Sequence, residues 1–389
     1  MSASQTLGGP SRAGRLLGPS LDKIVKNAAW RKHSHLVAAC KSALDKLDSV
    51  SDSSIVDPKS PISGLSLADS DFVLGPILLA LDSAYPKVVE PAVDCAFKLF
   101  SVGLFRGEID ASDQKFVLFK LVESLCKCAG LGEEPIELGV LRTLLAAVRS
   151  PRVLIRGDCL VNIVRTCYNV YLGGLNGTNQ ICAKSVLAQI MVIVFTRVEE
   201  DSLNVSISRV SVNELLEFTD KNLNEGSSIL FCQNFVNEVM DANYGGPDSN
   251  KTVASRELKL QNGNAGGRGD GDSNADGAES GDGASKIRND GYLLFKNLCK
   301  LSMKFSSQEH SDDQILLRGK VLSLELLKVI LDNGGPFWRN NERQVSQCYQ
   351  AVPLLITLKK QCVVSHGHFP ASVFYFHELV IKIQIRVES

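Results

Sequence analysis

The residues whose types and spacing come nearest to a chemical site are cysteines and histidines. The chain has 11 Cys and 6 His among its 389 residues. Cys126 and Cys128 are separated by one residue, but no matching Cys or His pair lies nearby, as a zinc site would require. His366, His368 and His377 come closer to a metal-binding pattern, yet no helical pattern fixes their geometry. We therefore predict no metal site, and interpret the cysteines as reduced thiols on helix faces.

Other catalytic arrangements are equally weak. Gly173, Gly174 and Gly177 lack the Lys that follows the glycines of a phosphate-binding loop, so they indicate a turn between helices. The carboxylates at 133–134 and 199–201 lie at the ends of predicted helices, where solvated charge is usual. With this number of Cys and His residues, some Cys–His combination could always be chosen as a nucleophile and its base. No spacing in the sequence favours a particular pair. We predict no catalytic residue and no cofactor.

The charge balance and the apolar pattern exclude two further classes. The 42 Lys+Arg and 43 Asp+Glu leave a net charge of −1, so the chain has no global field for a nucleic acid, and we predict no nucleic-acid partner. The longest uncharged apolar runs that we find, 72–81 and 189–195, are shorter than the ~20 residues of a membrane-spanning helix. We therefore predict no transmembrane helix.

Between residues 20 and 241 the pattern is helix after helix. Ser20 is the expected N-cap of the first helix, and apolar residues follow at spacings of three, four and seven from Leu21 to Cys40. Short turns marked by Gly or Pro separate the segments, no stretch alternates with period two, and we expect no strands. A pair spacing of about 40 residues favours an all-α, armadillo- or HEAT-like helical-repeat solenoid. One further helix is predicted to begin near residue 69 and another at residue 86. Five more are predicted at about 115–129, 135–149, 151–172, 179–198 and 211–240.

The composition changes between about residues 243 and 284. From Arg268 to Asp282 the chain carries five acids and one base, a local net charge of −4, and no large apolar residue. Such a segment cannot bury enough surface to offset its ordering entropy, so we predict a disordered acidic linker. Helical patterning resumes at Asp290, with another helix over Ile315–Leu331. The predicted divisions are a disordered N-terminus (1–19), a helical domain (20–241), the linker (242–288), a shorter helical segment (289–343) and a tail (344–389).

One part of the helical domain combines a periodic apolar face with tyrosines and amides. It runs from Ser150 to Gln180 across a predicted helix–turn–helix corner. Such side chains either satisfy the polar groups of the corner or form a polar binding rim, and both interpretations stay open. The candidate protein-interaction residues are Tyr168, Asn169, Tyr171, Asn176, Asn179 and Gln180.

The same segment resembles a known family. Arg156–Leu172 (RGDCLVNIVRTCYNVYL) and Asn179–Phe195 (NQICAKSVLAQIMVIVF) resemble the N-terminal DCB domain of the large brefeldin-A-inhibited Arf guanine-nucleotide exchange factors, and the plant members look closest. Asp290–Lys304 (DGYLLFKNLCKLSMK) resembles the start of the neighbouring HUS domain, and Gly335–Arg343 (GPFWRNNER) is similar to it too. The resemblance covers roughly residues 20–343.

This resemblance implies an armadillo-like DCB–HUS unit with a regulatory role and no exchange activity of its own. Its implied partners are a second copy, bound through the DCB domain, and Arf-family GTPases. Through its partners it would be recruited from the cytosol to trans-Golgi and endosomal membranes. The exchange reaction belongs to the family's Sec-seven domain, which we expect C-terminal to these residues. We find neither its glutamate loop nor the HUS signature of Asn, Tyr, Asp and Cys, so no catalytic residue is carried over. The alternatives are part of an intact exchange factor whose Sec-seven domain lies elsewhere, and a general helical-repeat adaptor.

In our interpretation the resemblance ends after Arg343. Gln344–Ser389 is rich in Phe and Tyr without helical spacing. Codons can be chosen for Cys348–Thr357 that encode Ala-Ile-Lys-Gln-Tyr-Leu-Cys-Leu-Ser when read one base later, which is similar to the HUS continuation. We therefore predict that the tail is out of frame, and the encoding transcript decides this. We also expect residues 20–240 to fold alone and the HUS-like segment to be marginally stable.

Overall fold

The computed structural model describes residues 7–29, 31–51, 57–112, 116–216, 226–242, 286–302 and 312–339. Nearly all of its regular structure is helical, which confirms the all-α prediction. The helices are α1 (Arg12–Asn27), α2 (Ser34–Ser49), α3 (Leu67–Asp82), α4 (Pro86–Ser101), α5 (Val117–Cys128), α6 (Glu134–Arg149), α7 (Gly157–Gly173), α8 (Gly177–Glu200), α9 (Val212–Leu216), α10 (Gly226–Asp241), α11 (Lys286–Ser302), α12 (Asp312–Asn333) and α13 (Pro336–Arg339).

The helices pack as two rows that run along the molecule. In one row α1 contacts α4, α4 contacts α6, α6 contacts α8, and α8 contacts α12. In the other row α3 contacts α5, α5 contacts α7, and α7 contacts α11. Each helix thus covers the apolar face of the next, which is how a helical-repeat solenoid builds a continuous core. The predicted solenoid is confirmed.

The prediction that residues 1–19 are disordered is wrong from residue 12 onward. α1 begins at Arg12, and the Ser11 side chain accepts a hydrogen bond from the Gly14 amide at 2.9 Å, so Ser11 is the N-cap. Ser20, the predicted cap, lies inside the helix. The earlier start is favoured because it adds Ala13 and Leu17 to the buried face.

One other predicted segment is divided in the structure. The pattern from Leu21 to Cys40 is split into α1 and α2, because Ala28 is extended (φ −72°, ψ 131°) and ends α1. Within the 211–240 segment the structure describes α9 and α10, and residues 217–225 between them lie outside the described ranges. α11 begins at Lys286, so residues 286–288 of the predicted linker are helical.

The expectation of no strands is wrong at two places. β1 (Gly107–Ile109) and β2 (Val153–Ile155) form a parallel two-stranded sheet in which Gly107 pairs with Val153 and Ile109 with Ile155. β2 lies within the segment predicted as one helix from 151. Three residues are too few for an alternating pattern to indicate a strand.

α8 is the central helix of the core and the one described helix that is long and apolar enough to cross a membrane. It does not stand out as an uncharged apolar run because Lys184 and Arg197 interrupt its sequence. Of its most apolar 18-residue window, 94% is buried inside the protein, as in the core helix of a helical stack. Its 24 residues begin after the N-cap Asn176.

Several predictions concern residues outside the described ranges. These are the acidic linker over residues 243–285, the first six residues, the histidines at 366, 368 and 377, and the tail from 344 onward. They stay predictions.

Candidate functional site

The six candidate interaction residues lie at one corner of the stack but divide into separate groups. Tyr168, Asn169 and Tyr171 are on α7, Asn176 caps α8, and Asn179 and Gln180 are in the first turn of α8.

Tyr168, Tyr171 and Gln180 face α12 of the same chain. The Tyr168 hydroxyl lies 3.4 Å from the hydroxyl of Ser323. The Arg318 guanidinium donates to the Tyr171 carbonyl at 3.3 Å and to Gln180 Oε1 at 3.0 Å, and lies 5.1 Å from the centroid of the Tyr171 ring. These side chains therefore form an interaction surface, and α12 of the same chain occupies it in this structure.

Asn176 and Asn179 hold the corner between α7 and α8 together. The Asn176 side chain accepts from the Asn179 amide at 2.7 Å, which caps α8. Asn179 Nδ2 donates to Glu137 Oε2 at 2.6 Å, and both side chains are buried. The same carboxylate oxygen accepts from the Leu175 amide at 3.3 Å. Asn169, in contrast, is exposed on α7. Binding of another protein by any of the six residues stays a prediction.

A buried ion pair lies at the contact between α8 and α12. Lys184 Nζ is 2.7 Å from Glu325 Oε2, and the two side chains are only 2% and 8% exposed. Each charge sits on an otherwise apolar helix face. Because an unpaired charge here would be strongly unfavourable, the pair fixes how α12 sits on α8.

Asp290 of α11 caps α7 from across the interface. Its two carboxylate oxygens accept from the Gly157 amide at 2.9 Å and from Arg156 Nε at 3.2 Å. Arg156, the residue at the N-cap position of α7, makes no capping bond of its own. The Asp290 carboxylate therefore satisfies a free amide and complements the positive end of the α7 dipole.

The charges around Asp290 extend to β1. Arg156 also pairs with Glu108 at 3.0 Å, and Lys286 Nζ lies 3.0 Å from the same Glu108 side chain. Burial raises the pKa of Asp290, while the Gly157 amide and Arg156 oppose the shift. The pKa of Glu108 is lowered: burial would raise it, but the hydrogen bonds from Lys286 and Arg156 outweigh burial.

Trp338 of α13 anchors the end of the second segment. Its ring makes edge-to-face contacts with Phe195 and Phe295 at centroid distances of 4.5 and 5.4 Å. Its amide donates to Glu199 Oε2 at 3.2 Å. Thus α8 supplies a carboxylate to the start of α13, just as α11 supplies one to the start of α7.

The helices approach closely where α11 crosses α8. A Cβ built on Gly291 would lie 2.5 Å from Val198 Cγ2, which is closer than real side chains pack. Gly291 is therefore required by the contact itself.

The sequence did not indicate Lys184, Asp290 and Glu325 as residues of this interface. The interpretation of Glu199 as solvated charge at a helix end is wrong, because its carboxylate accepts from the Trp338 amide. The available signal was one charged residue inside an apolar helical run, as Lys184 is within Ile181–Phe195. The pairing could not be deduced, because periodicity gives no information on which distant helix supplies the partner.

The cysteines that were considered as metal ligands lie on α5. Burial raises the pKa of Cys126 to about 11 and that of Cys128 to about 12, so both are protonated at neutral pH, and a thiol must lose its proton to bind a metal or act as a nucleophile. Within the described ranges, no group of three or more His, Cys, Asp or Glu residues is arranged to hold a metal ion.

Comparison with protein families identifies two domains. The model of the Mon2/Sec7/BIG1-like "dimerisation and cyclophilin-binding domain" (DCB) matches residues 11–202, which include α1 to α8. The Mon2/Sec7/BIG1-like HUS domain matches residues 287–375, from the first turn of α11. This match extends past residue 343, where we placed the end of the resemblance. The interpretation that the resemblance ends at Arg343 is therefore wrong, and the encoding transcript tests the predicted frame change.

Curated relatives match along the whole chain. It is 58% identical over 389 residues to brefeldin A-inhibited guanine nucleotide-exchange protein 1 of Arabidopsis thaliana, covering 100% of this chain and 22% of that protein. The corresponding values for protein 4 of the same plant are 56%, 99% and 23%. Protein 1 of Homo sapiens is 25% identical over 516 residues, covering 95% of this chain and 28% of that protein.

The chain thus spans less than a quarter of the length of the two Arabidopsis relatives. The interface of α7 and α8 with α11–α13 joins the two matched regions, and we call it the DCB–HUS interface. Through these two domains, the chain belongs to the Mon2/Sec7/BIG1-like family.

Proposed function

We propose that the chain is a non-catalytic regulatory, self-association and membrane-recruitment region of a large Arf guanine-nucleotide exchange factor that acts in trans-Golgi vesicle transport. Its partners are a second copy, through the DCB domain, and Arf-family GTPases. It is cytosolic and reaches trans-Golgi and endosomal membranes through these partners.

The observation that carries this proposal is the DCB–HUS interface. The buried pair of Lys184 and Glu325 and the cap from Asp290 hold the two regions in one arrangement. The named relatives are guanine nucleotide-exchange proteins. A stack of helices next to an exchange domain is suited to holding partners in place. This role requires no catalytic residue in the stack.

Binding of the full chain to an Arf-family GTPase tests the partner. We expect capture of the GTPase on immobilised chain with one nucleotide state preferred, and no acceleration of nucleotide release. Asn169→Arg is the test variant, because Asn169 is the exposed member of the candidate residues, and Asn234→Arg on α10 is the matched exposed control. Weaker capture by the first variant alone supports the candidate surface.

The location of the chain in cells is the second test of the proposed function. A fluorescent fusion of the chain should overlap a trans-Golgi marker in plant cells. If the chain neither captures the GTPase nor overlaps with the marker, the proposed function is contradicted. That result would favour a general helical-repeat adaptor.

A further inference from the structure

We propose that two copies of the chain associate through the exposed face of α3. We call this face the α3 stripe, and it consists of Ala68, Phe72, Gly75 and Leu79. The inference rests on the proposed self-association and assigns it a surface. The occupant is the same stripe of a second copy, related by a two-fold axis.

The composition of α3 is unusual for a helix at the surface. From Phe72 to Leu81 it has ten consecutive residues without a polar side chain. One side packs into the core against α2, α4 and α5, where Val73, Leu74 and Ile77 are fully buried. On the other side Phe72 is 51% exposed and Leu79 38% exposed. A helix that is apolar all round is normally covered all round, so the stripe indicates a partner.

The position of the stripe agrees with the region described as a dimerisation domain. Among the described residues of the matched range 11–202, the exposed large apolar side chains are those of Leu67, Phe72, Leu79 and Leu175. Three of these four lie on α3. Leu230 and Phe231 are also exposed, but they lie on α10, beyond the match.

The spacing of the stripe makes it complementary to itself. Positions 68 and 79 are equally far from the midpoint of the stripe, and so are 72 and 75. In an antiparallel pair related by a two-fold axis at this midpoint, Phe72 therefore faces Gly75 of the other copy, and Leu79 faces Ala68. Large residues meet small ones, and each contact occurs twice, as in an isologous interface. A Cβ built on Gly75 has nothing within 4 Å in this chain, so there is space for an incoming ring.

The edge of the stripe is polar. Asp71 and Lys120 lie close enough to interact electrostatically, as do Asp82 and Lys127. Asp82 also accepts a hydrogen bond from Ser124 at 2.7 Å. An apolar centre with a charged rim is the usual composition of an interface between subunits.

Sedimentation of the full chain over a range of concentrations tests the inference. The test variants are Phe72→Lys and Gly75→Gln, and Phe231→Lys is the control because it places the same charge at an exposed aromatic residue of α10. We expect the wild-type chain and the control to dimerise. Both α3 variants should raise the dimer dissociation constant at least about tenfold, since buried aromatic contacts dominate such interfaces.

The outcomes separate this inference from the proposed function. A wild-type chain that stays monomeric at every concentration overturns both self-association and the α3 stripe. A wild-type dimer that persists equally in both α3 variants overturns the α3 stripe and leaves self-association standing. Circular dichroism verifies folding, and if Phe72→Lys unfolds, Gly75→Gln decides, because a Cβ added at Gly75 has nothing within 4 Å in the monomer.

Discussion

Lys184 and Glu325 show what a single pair of residues does in this fold. Taking both charges out of water costs free energy, and their contact at 2.7 Å recovers it only while both are present. Apolar side chains of similar volume could pack at these two positions without depending on a partner of opposite charge. The pair thus makes the free energy of docking depend on one specific alignment of α12 on α8.

Replacement of one charge should therefore cost more than replacement of both. We predict that Lys184→Met lowers the free energy of unfolding by about 3–5 kcal/mol, because it leaves Glu325 buried without its partner. The double variant with Glu325→Leu should recover most of this loss. The measurement is urea unfolding as a double-mutant cycle.

An exposed pair on α12 provides the control. Lys328 and Asp332 are 2.7 Å apart, with side chains 31% and 46% exposed. Lys328→Met should change the free energy of unfolding by no more than about 0.5 kcal/mol. A Lys184→Met variant as stable as this control would contradict the assigned role of the buried pair.

Asp290 gives a prediction for the effect of pH. Burial raises its folded-state pKa above the unfolded value, so the folded protein binds this proton more tightly. Its favourable contribution to stability is complete below the unfolded pKa and is lost as the pH rises through the folded pKa. Asp290→Asn cannot lose a proton. The free energy of unfolding of the wild type, relative to this variant, should therefore fall as the pH is raised from about 4 to 7 in urea titrations. A difference that rises with pH would contradict the direction of the shift.

The packing of α11 on α8 shows how one element depends on the surface of another. α11 crosses α8 where Gly291 meets Val198, and a β-branched side chain in a buried helix cannot move away easily. The same feature appears where α12 passes Tyr168, since a Cβ on Gly319 would lie 2.5 Å from the tyrosine oxygen. Small residues on α11 and α12 thus set the distance between the rows.

Substitution of Gly291 should reverse the usual effect of Gly→Ala in a helix. Ala normally stabilises a helix by about 0.5–1 kcal/mol over Gly. Here we predict that Gly291→Ala lowers the melting temperature, because overpacking against Val198 costs about 1–3 kcal/mol. Gly173→Ala at the end of α7 is the control, since nothing lies within 4 Å of its added Cβ, and it should not be destabilised. Equal melting temperatures for the two variants would contradict the close approach.

Much of the helical structure was predictable because its signals are local. The segment predicted as 135–149 is α6, Glu134–Arg149, since apolar residues at helical spacing lie between a Pro near the start and Pro151. β1 and β2 were not predictable, because a three-residue strand is defined by its partner 46 positions away, as in the pairing of Gly107 with Val153. The predicted start of α1 is wrong because a serine before an apolar helical run indicates a cap at Ser20, whereas the residue that caps the helix is Ser11.

The candidate site was predicted less well than the fold. Tyr168, Tyr171 and Gln180 do lie on a contact surface, but sequence periodicity could not indicate that α12 occupies it. Asn179 proved to be buried against Glu137. Contacts between distant helices depend on the whole arrangement, and amphipathic pattern gives only the face that each helix buries.

At the scale of the whole molecule, the position of a helix in the stack should set its local stability. α4 and α6 have neighbours on both sides in their row, whereas α12 is the last described member of that row. In native-state hydrogen exchange we predict that the amides of α6 are the slowest and that those of α11 and α12 exchange through openings of lower free energy. Lys184→Met should accelerate exchange in α12 more than in α4. Exchange in α12 as slow as in α6 would contradict our expectation that the HUS-like segment is marginal.

The cap that Asp290 provides has a consequence for synthesis on the ribosome. The carboxylate that completes the start of α7 is encoded 133 positions after the amide that it receives. At about 5–20 residues per second, the emerging chain waits roughly 7–27 s between the two. During that interval the first turn of α7 is unfinished and the charge of Lys184 has no carboxylate from α12. The nascent DCB domain would therefore expose this surface of α7 and α8 to chaperones, or to another copy of the chain on the same polysome. The exposure ends when α11 and α12 have been synthesised.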